Sequence, residues 1–181
     1  MRDGLEFRFA TELRIIAGRR LGGYAAVFGV SADIGGRFKE TIRPGAFRAT
    51  LAAGADVVLL VDHDPARLLA RTASGTLRLS EDPKGLAFEA DVPRTQLGND
   101  MLALAERRDL GGMSIGFRVA AGGDAWPSPD TRELRAVQLA EISIAQAWPA
   151  YPDTTIALRS RGELVGAPID PAARRRLLDL L

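Results

Sequence analysis

Few residues of this chain can do chemistry, and their scarcity narrows the choices. Among 181 residues there is one histidine, His63, and no cysteine. Thiolate nucleophiles, disulfides and cysteine-ligated metals are therefore excluded. So is any site that needs two imidazoles, such as the HExxH zinc arrangement. His63 follows an apolar run, Val57 to Val61, and stands between Asp62 and Asp64. Imidazole is the side chain best suited to move a proton near neutrality, so a general base is one reading. A surface histidine at a strand end, held by its acidic neighbours, is the other.

A hydroxyl candidate, Ser114, lies in Gly111-Gly112-Met113-Ser114-Ile115-Gly116-Phe117. From Met113 the run alternates. Met113, Ile115, Phe117 and Val119 fall on one face of a strand, and Ser114, Gly116 and Arg118 on the other. Gly112 and Gly116 leave room beside Ser114 for another backbone to approach. This is not the GxSxG elbow, whose strand-turn-helix context is missing. A solvent-facing strand serine fits the same letters.

A serine nucleophile needs a base within hydrogen-bond reach, and that base needs a third group to hold its tautomer. Without a second histidine, a carboxylate or polar side chain must serve. Glu141 is set in Leu139-Ala140-Glu141-Ile142-Ser143-Ile144. An acid inside an apolar strand is either paired or turned outward. Asp62 and Asp64 are rivals, although the strand neighbours of a histidine point away from it.

The elements that must position these residues read mostly as strands. Leu13 to Ala17 and Gly22 to Phe28 suit a strand pair, and Phe38 to Ile42 is a third strand, stopped by Pro44-Gly45. Ala46 to Ala53 reads as a short helix and Val57 to Val61 as a buried strand. Arg67 to Thr72, Thr76 to Ser80 and Gly85 to Val92 follow, with turns at Ser74-Gly75 and Pro83-Lys84-Gly85. A helix is predicted over Leu97 to Asp109, capped by Thr95 and ended by Gly111-Gly112. Gly122 to Asp130 reads as a loop, and Arg132 to Ala145 as a long strand or strand pair. Many short strands with one or two helices imply a mainly β (α+β) domain, a barrel or sandwich decorated by helices.

Composition sets the remaining bounds. A hydrophobic fraction of 46%, 26% charged residues and a net charge of +1 describe an ordinary globular chain rather than a nucleic-acid binder driven by bulk charge. No run of signal-peptide length stands at the N-terminus, and no stretch of about 18 apolar residues occurs. The expectation is a soluble protein kept in a cytoplasm, with no membrane partner, metal or cofactor.

Several short motifs occur in a definite order: Gly23-Tyr24-Ala25-Ala26-Val27-Phe28, Glu40-Thr41-Ile42-Arg43-Pro44-Gly45-Ala46-Phe47, Asp62-His63-Asp64, Gly85-Leu86, Met113-Ser114-Ile115-Gly116-Phe117, Leu139-Ala140-Glu141-Ile142-Ser143 and Pro149-Ala150-Tyr151-Pro152. Each is weak alone. Together, from about Gly18 to Arg161, they resemble the tailed-phage prohead protease family, which is similar in fold and mechanism to the herpesvirus assemblins.

The resemblance implies an assemblin-like closed or nearly closed β-barrel with peripheral helices. It implies His63 as base, Ser114 as nucleophile, and Glu141 where assemblins carry a second histidine. It points to oxyanion donors near Ala150 to Asp153, with Ala150 and Tyr151 as candidates and Arg159 as a second possibility. The protease domain would span 1–161. A tail, 162–181, carries Arg174-Arg175-Arg176 beside Leu177, Leu178, Leu180 and Leu181, either for docking or as a solvated helix.

The implied activity is that of a serine endopeptidase, packaged inside the immature capsid (prohead) in the host cytoplasm. It would cleave the N-terminal scaffold-like segment of the major capsid protein, and then itself by autoproteolysis. A homodimer is implied by likeness to the assemblins. Two other readings stand beside this one: a non-enzymatic capsid assembly or scaffolding factor on the same fold, and a β-barrel binding module for a small ligand or another protein.

Overall fold

A computed structural model of the protein describes residues 6–10 and 12–146. In chain order its elements are β1 (Glu6–Ala10), β2 (Glu12–Ala17), β3 (Arg20–Val27), β4 (Ser31–Asp33), β5 (Lys39–Ile42), α1 (Arg48–Ala52), β6 (Val58–Val61) and β7 (Asp64–Arg71). There follow β8 (Leu77–Glu81), β9 (Gly85–Asp91), α2 (Gln96–Arg107), β10 (Gly112–Val119), β11 (Asp124–Ser128), β12 (Thr131–Leu134) and β13 (Val137–Ala145). The fold is mainly β with two helices, as the sequence implies. Neither helix is long and apolar enough to cross a membrane.

The strands form three sheets, ordered β1-β10-β13-β6-β7, β2-β3-β9-β8 and β11-β12-β5-β4. The first two lie against each other: β1 and β10 touch β3, and β7 touches β8 and β9. Between them runs one core that includes Leu21, Leu59, Leu86, Met113, Ile115, Phe117, Ile142 and Ile144, all fully buried. β1 and β2 are nearly continuous in sequence yet belong to different sheets, so together they link the two layers. Among the described residues each ladder has two free edges, and no sheet closes on itself.

Three local expectations need correction. The segment from Gly122 to Asp130 is not all loop, because β11 occupies Asp124–Ser128. Pro127 hides this strand from composition, but β11 is a sheet edge and its register breaks between Ala125 and Ser128, where a missing N–H does no harm. Helix α2 begins as expected, the Thr95 hydroxyl accepting from the Gly98 N–H at 3.2 Å, a cap worth about 1 kcal/mol. Its end falls earlier than Gly111. Arg108 turns left-handed (φ 62°), and the Asp109 N–H reaches back to the Leu104 carbonyl at 2.9 Å. Gly111 and Gly112 instead lead into β10, with the Gly111 N–H donating to Ala145 O.

The third correction concerns β10. Of the two readings its alternation leaves open, the solvent-facing one fails, since every residue from Gly112 to Phe117 is buried. The face carrying Ser114 is polar because of what it holds, not because it meets solvent.

Candidate active site

β10 and β13 pair antiparallel at the centre of the five-stranded sheet. Their register sets Ser114 opposite Ser143 and Gly116 opposite Glu141. Directly paired residues share a face, so Ser114, Ser143 and Glu141 stand together. The next pair along, Phe117 with Leu139, belongs to the other, core-facing side. Leu139 and Glu141 are two positions apart, which in a regular strand would keep them on one face. A bulge at this point puts Ala140 in the extra position and swings the Glu141 carboxylate to the side of Ser114. Thr50 of α1 supports the strand just before the bulge. Its hydroxyl donates to Val137 O at 2.9 Å and accepts from the Leu139 N–H at 3.1 Å.

His63 arrives from β6 and β7, which form a hairpin. Val61 pairs with Asp64, leaving Asp62 and His63 as a two-residue turn. Both have positive φ, 51° and 58°, the signature of a type I′ turn, where Asn-Gly is usual. Left-handed backbone costs a residue with a Cβ about 1–2 kcal/mol. Fixed hydrogen bonds hold it here. The Asp62 N–H donates to Ile144 O at 2.9 Å, Asp62 Oδ1 accepts the Gln146 N–H at 2.9 Å, and Asp62 Oδ2 accepts from Arg67 Nη1 at 2.7 Å. The His63 N–H donates to the Ser143 hydroxyl at 2.9 Å.

From this turn the imidazole reaches across β13. Its Nδ1 lies 2.6 Å from Glu141 Oε1 and its Nε2 lies 2.8 Å from Ser114 Oγ. A carboxylate only accepts, so Nδ1 carries the proton and Nε2 is left to accept from the serine hydroxyl. All three side chains are enclosed, Ser114 completely. Phe7 of β1 sets the edge of its ring against the imidazole, with centroids 4.2 Å apart. Gly116 makes room for the whole arrangement: a Cβ there would lie 2.6 Å from Glu141 Cγ and 3.0 Å from Phe7 Cε1.

The structure thus brings His63, Ser114 and Glu141 into one hydrogen-bonded line. Asp62 is engaged by Arg67 and the backbone, and Asp64 accepts from the Ala66 N–H. The two ring nitrogens of His63 meet Glu141 and Ser114. The exposed positions open to Ser114 and Glu141 on sequence grounds are not the ones they occupy. Ala150, Tyr151 and Arg159, the oxyanion candidates, and the tail 162–181 lie outside the described residues. Among the described residues no cluster of three or more His, Asp or Glu is arranged to hold a metal ion.

Sequence reasoning passed over three contributors. Phe7 and its strand are absent from the sequence expectations, although Glu6-Phe7-Arg8-Phe9 alternates as strands do. Ser143 stood in the Glu141 motif without a role. Arg8 was unremarked, yet it is buried and held by Glu40 Oε2 at 2.8 Å and Glu6 Oε2 at 2.7 Å, while donating to Phe7 O at 2.7 Å. A buried guanidinium leaves no sequence signal apart from an arginine between two phenylalanines.

An acid, an imidazole and a hydroxyl in that order can transfer an acyl group. No curated protein and no solved structure matches the chain. A family model described as caudovirus prohead serine protease matches residues 10–165, a span that takes in all three groups and most of the chain. On that match, this chain is a member of the caudovirus prohead serine protease family, a serine peptidase of phage capsid maturation.

Proposed function

We propose that the protein is an endopeptidase whose nucleophile is Ser114, with His63 as general base and Glu141 as the group that orients it. The observation that carries this reading is the unbroken line from the Glu141 carboxylate through both ring nitrogens to the Ser114 hydroxyl, at 2.6 Å and 2.8 Å. His63 takes the hydroxyl proton at Nε2 as Oγ attacks a peptide carbonyl, and Glu141 stabilises the imidazolium that forms. The imidazolium then protonates the leaving amine, and water repeats the sequence on the acyl-enzyme. Ser114 has no exposed surface, so entry of a peptide requires the layer over it to part.

The substrates in this reading are the N-terminal scaffold-like segment of the major capsid protein and the protease chain itself, both met inside the prohead. Membership of a prohead protease family supports that setting. Ala150 and Tyr151 remain the proposed oxyanion donors, and a homodimer the proposed assembly. The architecture is proposed to be assemblin-like; two sheets packed on one core, with β1 and β2 crossing between them, agree with a flattened barrel.

The test is Ser114→Ala, co-expressed with the capsid precursor. The variant is expected to fold and to leave both the precursor and itself uncut, a loss on the order of 10⁶-fold. Processing by Ser114→Ala at the wild-type rate would remove Ser114 from the mechanism.

A further inference from the structure

Ser143 has no part in the acyl-transfer scheme, yet it is completely buried at the centre of the site. It faces Ser114 across the β10–β13 ladder, and its hydroxyl accepts the backbone N–H of His63 at 2.9 Å. That N–H is in an awkward position. The parallel ladder between β13 and β6 ends at Ile144 and Val61, and its last backbone bond is spent on Asp62. The next amide belongs to a residue with φ 58° in a turn position that glycine normally takes. An amide enclosed in protein needs a partner.

We infer that Ser143 is a positioning residue for the base: its hydroxyl pins the left-handed His63 backbone, so that the ring meets Glu141 and Ser114 at once. The inference rests on the proposed roles of those three residues. The geometry leaves the ring little freedom. It must reach from β6 over β13 to β10 and satisfy two contacts below 3 Å on opposite sides. Small rotations of the turn move Nε2 by far more than they move the backbone. Asp62 is anchored through its own side chain by Gln146 and Arg67, which leaves Ser143 as the anchor of the second turn residue. Phe7 bears on the ring itself and limits its tilt, but does not fix its origin.

Two readouts separate positioning from mere stability. The first is the rate at which a fluorophosphonate labels Ser114 in the full chain. The second is the Nδ1–H proton resonance of the imidazole, which is free of overlap because the protein has one histidine. Ser143→Ala should slow labelling about 100-fold, the scale of a misplaced catalytic group, and weaken or shift the downfield Nδ1–H signal. Ser143→Thr keeps the oxygen and should label within a few-fold of wild type with the signal in place.

A folded Ser143→Ala chain that labels at the wild-type rate with an unchanged signal overturns the inference. So does a folded Ser143→Thr chain that behaves like Ser143→Ala. Should Ser143→Ala fail to fold, Ser143→Thr decides alone, a wild-type signal supporting the inference and a lost one overturning it. Labelling of Ser114→Ala at the wild-type rate would sink the nucleophile assignment instead, while the resonance still reports on Ser143.

Discussion

Charged groups are used in opposite ways on the two sheets that enclose the core. On the outer face of the β2-β3-β9-β8 sheet, Arg20, Arg78, Glu89 and Asp91 form a lattice at 2.7 to 3.8 Å with every side chain about half exposed. Each charge there has two partners and water as a third, so none is indispensable. On the five-stranded sheet two groups of charges are enclosed, while Arg71 and Arg118 of the same sheet stay exposed. On one side stand His63 and Glu141; on the other Arg8 is locked by Glu40 and reached through Glu6 by Arg132. A group removed there costs its partner a contact that water does not readily replace, although Arg8 would keep Glu6 and the Phe7 carbonyl. Burial therefore decides which charges matter, and the two faces differ less in composition than in the solvent available to them.

The contrast can be broken at three depths. Glu141→Gln keeps the size of the side chain but presents an amide to Nδ1, removing both the charge that steadies the imidazolium and the preference for the productive tautomer. Cleavage is expected to fall on the order of 10⁴-fold with little change in melting temperature, as for the orienting acid of other serine triads. A variant cleaving within a few-fold of wild type would make this acid an ornament of the site.

Glu40→Gln acts on the other side of the same sheet. Its side chain is almost wholly buried, and neutralising it strips Arg8 of its closest counter-ion. Unfolding in urea should show a loss of about 3–5 kcal/mol. An unchanged midpoint would mean that Glu6 alone suffices for Arg8.

The smallest effect is expected at Asp91→Asn on the outer lattice. Hydrogen bonding to Arg78 holds the Asp91 carboxyl below its usual range, so its contribution is present above an ordinary carboxylate pKa of about 3.9 and is lost as pH falls through the lowered one. The variant should cleave like wild type and melt only slightly lower near neutrality, with the gap closing in acid. A large drop in melting temperature would erase the difference between the two sheets.

How much of this could be read in the letters follows the same division. Strands with ordinary turns and the Thr95 cap were legible because each depends on local pattern; His63 stood out by its scarcity, whereas Ser114 and Glu141 were joined to it only by the family resemblance of the ordered motifs. The Pro127 strand was not, since an edge position forgives a proline that composition cannot. Nor was the burial of Ser114: alternation marks a change of character from face to face, and here the polar face meets imidazole and carboxylate rather than water. The bulge that turns Glu141 from the core side to the side of Ser114 leaves no mark in the run Leu139 to Ile144. Ser143, Phe7 and Arg8 act through partners 32 to 80 residues away, where only the fold supplies the neighbour.

Gly116 carries one more consequence. Its backbone lies outside the left-handed region, so any amino acid could adopt the conformation, and the usual argument for an indispensable glycine does not apply. The restriction is one of occupied space, since the volume a methyl group would take is already filled by a carboxylate and a phenyl ring. Related chains could therefore exchange this glycine for a larger residue only together with a shorter acid or a smaller ring, which ties the three positions into a single unit of sequence change.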